Sequence, residues 1–153
     1  MSKAALICVI VLGLRPPTIA MDKATAVCED LVVQAEAQSI DPLFIATLAA
    51  HESGMNPEAV SRSGARGVLQ ALPRFWCPGK TREGCDFTSA GLKAWRYHLK
   101  ACRGNRGCGL RGYVGLSVTG NTGFVVKIES RTAKARQAFQ VEYPRLLAVN
   151  ALV

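Results

Sequence analysis

A chain of 153 residues has room for one domain of ordinary size, and with 49% of its residues apolar it can fill a core, which excludes a globally disordered chain. A net charge of +8 suits an anionic partner such as nucleic acid, an anionic membrane face or a bacterial wall with its carboxylates and phosphates. The basic residues are scattered and no RNA- or DNA-binding motif is visible, so no nucleic acid is expected as a partner.

The chain begins with a short basic start, Met1-Ser2-Lys3, followed by an uncharged apolar run over residues 4–14. Arg15-Pro16-Pro17 breaks the run, and Thr18-Ile19-Ala20 ends on a small residue. This is the layout of a secretory leader cleaved near Ala20. The run falls short of the roughly twenty residues a membrane-spanning helix needs. An uncleaved anchor is the alternative, and only in that case would a membrane be a partner. Cys8 lies within the run, and Ile7 before it is too bulky for a lipoprotein signal. The organisation expected is therefore residues 1–20 as leader and 21–153 as a single domain, with no repeat, low-complexity tract or linker.

Residues 22–39 predict an amphipathic helix, with Val27, Leu31, Val32 and Ala35 on one stripe and Glu29, Asp30, Gln34 and Glu36 off it. Gln38-Ser39 ends it and a second helix follows at once, predicting a helical hairpin. Asp41 is placed to cap the second helix and Pro42 occupies its first position, where no donor is missed. Residues 43–50 are apolar on nearly every face, so this helix should be wrapped in core. It stops at Gly54, with Asn56-Pro57 beyond as breakers.

Glu52 stands at the end of that helix. A carboxylate is costly to desolvate, and the helix C-terminus carries partial negative charge. Both effects raise its pKa, which is how a proton-donating acid for neutral pH is made. The ordinary alternative is an exposed glutamate in a last helical turn. His51 adjoins it, but neighbours i and i+1 do not face each other on a helix.

Residues 54–64 form a polar loop, and Gly67 in the short segment 65–71 allows close backbone approach. Phe75-Trp76 either walls a sugar site or joins the core. Residues 88–102 predict a third helix with Leu92, Trp95 and Leu99 inward, Tyr97 and the basic residues turned away, and His98 on the flank. Residues 104–122 are glycine-rich and yield no clear element. Residues 122–139 predict a closing helix with Phe124, Ile128, Ala135 and Phe139 on one side, and 141–153, with Pro144, a packed apolar tail.

Cys77 and Cys85 bracket one polar loop, and Cys102 and Cys108 another. Two local disulfides are expected, with Cys28 left over or paired with one of those four. The spacings give no Cys-x-x-Cys pair and no histidine lies close in sequence, so no metal site is expected.

Glu52-Ser53-Gly54, Asn56-Pro57, Ser61 and Gly64-Ala65-Arg66-Gly67-Val68-Leu69-Gln70 together resemble the catalytic segment of the soluble lytic transglycosylases and of their relatives, the goose-type lysozymes. That family's pattern is a Glu-Ser pair, a loop serine, then Gly-Ala-x-Gly-Leu-Met-Gln, with Val68-Leu69 here replacing Leu-Met conservatively. The resemblance is strong over residues 40–76 and weak elsewhere. It implies a mainly α, lysozyme-like single domain with a short hairpin or irregular lobe beside the catalytic helix. It implies cleavage of the β-1,4 bond between N-acetylmuramic acid and N-acetylglucosamine in peptidoglycan, with no cofactor.

In the family one glutamate, here Glu52, protonates the leaving oxygen and then takes the proton of the sugar's 6-hydroxyl, which closes a 1,6-anhydro ring. Ser53 and Ser61 would donate hydrogen bonds near the acid and the N-acetyl group, and Gln70 would bond the sugar. Gly112-Tyr113-Val114-Gly115 matches a family Tyr-Asn-Ala-Gly segment, with Val114 in place of Asn, so that Tyr113 would orient Glu52. A second register over Ser117-Val118-Thr119-Gly120 would lose the tyrosine.

Two alternatives stand beside this reading. One is a hydrolytic, goose-type lysozyme using a second carboxylate, sought among Glu58, Glu83, Asp86 and Glu129, with Asp86 or Glu58 preferred. The other is a non-catalytic wall-binding module. Either way the protein is expected to be exported to the periplasm or cell envelope and to act on glycan strands. A secretion or conjugation machine and a phage are equally open as its setting.

Overall fold

The computed structural model of the chain describes residues 1–115 and 122–153. Seven α-helices are found among the described residues: α1 (Lys3–Leu14), α2 (Met21–Ala37), α3 (Pro42–Ser53), α4 (Pro73–Trp76), α5 (Phe87–Ala101), α6 (Arg106–Tyr113) and α7 (Thr122–Ala151). The mainly α architecture expected from the sequence is present. The lobe beside the Glu52 helix is irregular, with isolated bridges pairing Arg66 with Val60 and with Ala71.

α3 is the centre of the molecule. Asp41 accepts hydrogen bonds from the N–H groups of Leu43 (3.1 Å) and Phe44 (3.4 Å), with Pro42 at the first helical position. Gly54 terminates the helix in the left-handed region at φ 61°, and its N–H returns to the Ala50 carbonyl. A Cβ on Gly54 would lie 2.4 Å from the Thr18 side chain, so glycine is required there for space as well as for conformation. Every residue from Leu43 to Ala50 is buried. The helix packs against α1, α2 and α7, and Phe44 lies 4.6 Å from Trp95 of α5, ring centre to ring centre.

The carboxylate of Asp41 does a second job. It also receives Arg106 of α6 at 3.1 Å and Arg136 of α7, while Arg106 holds Glu129 of α7 through two bonds of 2.7 and 2.8 Å. Three elements are thus tied at the start of α3.

Residues 1–20, expected as a removable leader, are built into the core. Ser2 caps α1, whose Ile7, Cys8, Val11 and Leu12 are buried against α2, α3 and α7. Cys8 is disulfide-bonded to Cys28, the cysteine left over in the sequence. A boundary at residue 20 therefore runs through a single packed cluster. The two local disulfides, Cys77–Cys85 and Cys102–Cys108, are formed as expected. No helix among the described residues is long and apolar enough to cross a membrane.

Two further stretches differ from expectation. The glycine-rich segment contains α6, begun by Asn105, whose side chain accepts from the Cys108 N–H at 2.8 Å. The tail, expected to pack, continues α7 through Pro144 and leaves Val141, Leu147 and Val149 more than half exposed. Pro144 removes one helical donor, which leaves the Gln140 carbonyl at an exposed position to be satisfied by water.

Candidate active site

The last turn of α3 carries His51, Glu52 and Ser53 to the edge of the core. Two hollows meet there, one of about 850 Å³ and one of about 670 Å³, and both are lined by Glu52, Ser61 and Gln70. The acid therefore sits at the junction of a two-armed groove. The larger arm is aromatic, with Phe75, Trp76, Tyr97, His98, Tyr113 and Phe124. The smaller arm is walled by Arg15, Thr18, His51 and Asn56. A third and larger hollow, about 1100 Å³, is lined by Lys93, Arg96, Lys100 and Arg106 on another face and does not include Glu52.

Burial lifts the pKa of Glu52 from an ordinary 4.5 to about 7. Its carboxyl has no hydrogen-bond partner among the described residues, so nothing there stabilises the charged form. Close to neutrality it can hold a proton and give it up.

The surrounding groups hold the backbone in place. The Ser53 hydroxyl is shared between the carbonyls of Ala49 (3.0 Å) and Val68 (2.8 Å), which staples the helix end to the Gly67–Gln70 segment. Both of its hydrogen bonds in this structure go to backbone carbonyls. Ser61 accepts the Ala65 N–H at 3.0 Å and lies 3.0 Å from the Ser63 hydroxyl. Gln70, at φ 53°, donates to the carbonyls of Ala59 (3.1 Å) and Gly67 (2.9 Å). Its amide oxygen has no partner among the described residues.

Gly67 adopts φ +80°, and a Cβ there would lie 2.6 Å from the Cβ of Phe87. The loop can approach α5 only because that atom is missing.

Tyr113 ends α6 and lies beside Glu52. The charge of that carboxylate, after the larger effect of burial, drives the phenol pKa well above its usual value. Its hydroxyl donates to the Leu69 carbonyl, not to Glu52. Tyr113 thus shapes the floor under the acid without bonding it. The alternative register over residues 117–120 lies outside the described residues.

None of the candidate second carboxylates reaches the groove. Asp86 caps α5 through the Ser89 N–H at 3.1 Å, and Glu129 is paired with Arg106. Glu58 and Glu83 are exposed and line neither arm. Among the described residues, Glu52 is the only carboxylate in the groove.

Four lining residues escaped the sequence reading. Arg15 and Thr18 were absorbed into the expected leader. Tyr97, read as turned away, is 60% exposed and forms part of the aromatic arm. His98 fits beside it because Gly112 leaves room, a Cβ there lying 2.7 Å from the ring. His51 faces away from Glu52 toward α7 and accepts a hydrogen bond from Arg131 at 2.8 Å. Burial, then Arg131, Arg15 and Lys127, lowers its pKa to about 4, so the imidazole is neutral at physiological pH.

Comparison with known proteins yields no match among curated proteins and none among solved structures. One family model does match: the Transglycosylase SLT domain, over residues 31–76, from α2 through the Glu52 helix to the end of α4, which is the family the catalytic segment resembles.

Proposed function

We propose that this protein is a peptidoglycan lytic transglycosylase that cuts the β-1,4 bond between N-acetylmuramic acid and N-acetylglucosamine. The observation that carries the reading is a lone carboxyl group, protonated near neutrality, at the junction of two arms of a groove. A strand laid along both arms presents a glycosidic oxygen to that proton. Glu52 gives its proton to the leaving oxygen as the C1–O bond breaks. The resulting carboxylate takes the proton of the 6-hydroxyl as that oxygen bonds C1, and Glu52 is regenerated without water. Glycoside hydrolysis ordinarily uses two carboxylates flanking the bond. The single acid in the groove therefore favours the intramolecular route over the hydrolytic, goose-type one.

The aromatic arm offers Trp76 and Tyr97, whose ring centres are 5.3 Å apart, as faces for sugar rings. Three disulfides among the described residues suit an oxidising compartment, in keeping with export to the cell envelope. The experiment is digestion of purified sacculi with mass analysis of the products. The expected muropeptides are one water lighter than lysozyme products, and Glu52→Gln abolishes their release while the protein stays folded. Products of full mass would establish hydrolysis. Clearing by the mutant equal to wild type would overturn the assignment, and no release by the folded wild type would favour a wall-binding module.

A further inference from the structure

The hollow of about 1100 Å³ that does not include Glu52 takes no part in the proposed reaction. One of its walls is α5, which contributes Lys93, Arg96, Leu99 and Lys100. The other is the bend from α2 to α3, at Gln38, Ser39 and Ile40. Lys93, Arg96 and Lys100 stand at i, i+3 and i+7, so they share one side of α5 over two turns. All three are exposed, and none has a carboxylate partner among the described residues, whereas Lys3, Arg106, Arg136 and Arg145 each do. Arg96 reaches across the hollow to the neutral side chain of Gln38, at 3.0 Å. Among the described residues Asp41 is the one carboxylate lining the hollow, and Arg106 and Arg136 already occupy it. The rim therefore carries positive charge that no acid among the described residues answers.

The inner surface of the hollow is apolar. Ile40 and Phe44 lie at its floor, and the Arg106 guanidinium sits 4.7 Å from the centre of the Phe44 ring. Leu99 is half-buried, and exposed Tyr97 lines this hollow and the aromatic arm alike.

A cationic rim over an apolar floor calls for an occupant with an apolar face edged by negative charge. A phosphate polymer has the charge but leaves the floor empty. A second copy of this chain, at a net charge of +8, is repelled. We propose that the hollow between α5 and the α2–α3 bend docks an acidic amphipathic helix of a partner protein, with apolar side chains on Leu99 and Tyr97 and carboxylates on Lys93, Arg96 and Lys100. A helix suits the hollow because carboxylates at i, i+3 or i+4 and i+7 repeat the spacing of the three cations. Such an occupant meets Asp41 at the start of the acid-bearing helix and Tyr97 at the edge of the aromatic arm. The proposal goes beyond the lytic reading and does not depend on it.

The test is fluorescence anisotropy of labelled synthetic helices mixed with the full chain at low salt. The probe is a helix of about fifteen residues with glutamates along the edge of a leucine face. One control replaces its glutamates by glutamine, and the other scrambles the same composition so that no continuous face exists. The probe is expected to bind about tenfold more tightly than either control. Lys93→Glu with Lys100→Glu removes that preference, and Lys93→Gln with Lys100→Gln lowers it part way. Both pairs lie at exposed positions, and near-ultraviolet circular dichroism checks that the fold is kept. Binding of no peptide, equal binding of the probe and either control, or a preference that survives charge reversal overturns the proposal. Polyphosphate bound more tightly than the probe through the same lysines overturns it in favour of a phosphate site. Self-association of the chain that charge reversal abolishes overturns it in favour of a second copy.

Discussion

Replacing Glu52 with glutamine should stabilise the protein in alkali and leave it unchanged in acid. The native carboxyl has a pKa of about 7 against an ordinary 4.5, because burial penalises its charged form. Below the lower value both folded and unfolded chains carry the proton, and the group costs nothing. Between the two values the unfolded chain releases its proton while the folded one keeps it, so stability falls as pH rises. Above the higher value the penalty is complete. The gap of about 2.5 pH units corresponds to up to about 3 kcal/mol. Glutamine copies the shape of the protonated acid and removes the penalty. Urea unfolding of both proteins at about pH 4 and about pH 8 measures it through the midpoint at constant slope. The expected result is overlapping curves in acid and a clear gain for Glu52→Gln in alkali. Protonation of His51 destabilises both proteins as pH falls toward its native pKa of about 4, and it cancels in the comparison. An equal difference at both pH values, or a loss in alkali, would show the carboxylate to be solvated and refute the account of the acid.

Three further outcomes follow from packing. Removal of residues 1–20 should abolish folding, measured by near-ultraviolet circular dichroism. Ile7, Val11 and Leu12 are each worth roughly 1.5–3 kcal/mol, and the Cys8–Cys28 bridge about 3 kcal/mol, against a whole-domain stability of about 5–15 kcal/mol. Tyr113→Phe strands the carbonyl of fully buried Leu69 and should cost about 1–3 kcal/mol in thermal unfolding, with only a secondary loss of activity. Gly67→Ala forces a Cβ to within 2.6 Å of Phe87 at a left-handed φ and should lower both stability and turnover by moving Gln70; unchanged thermal unfolding would show that the loop has room to shift.

The parts of the fold that were legible in the sequence are those fixed by local chemistry. Asp41-Pro42 and Gly54 mark both ends of α3 because capping and the left-handed stop need only neighbouring residues. α6 was hidden because its glycines argue for a loop by propensity, yet Gly109 is there for fit: a Cβ on it would lie 3.2 Å from Trp95. The packing of α1 was not legible for a related reason. An unpatterned apolar run reads the same whether it is a leader or a helix buried on several sides, and the Cys8–Cys28 pairing depends on how helices meet. In the site, Glu52, Ser61, Gln70 and Tyr113 are brought together as the motif suggested. What each hydroxyl bonds was not legible, since the partner of Ser53 is the carbonyl of Val68, fifteen residues on, and that of Tyr113 is the carbonyl of Leu69.

The ion cluster on Asp41 grips α3 at the end opposite Glu52, about 16 Å away at the helical rise of about 1.5 Å per residue. The helix is anchored at both ends, there by this cluster and at the Glu52 end by the Ser53 bond to the Val68 carbonyl and the Thr18 bond to the Gly54 carbonyl, so its angle depends on both. Tilting it by about four degrees swings its far tip by about 1 Å, enough to cost a reaction about a hundredfold. Arg106 and Arg136 line neither arm of the groove, yet through Asp41 they fix one end of the helix that carries Glu52, so on the proposed reading weakening their hold should lower turnover while leaving every groove residue in place.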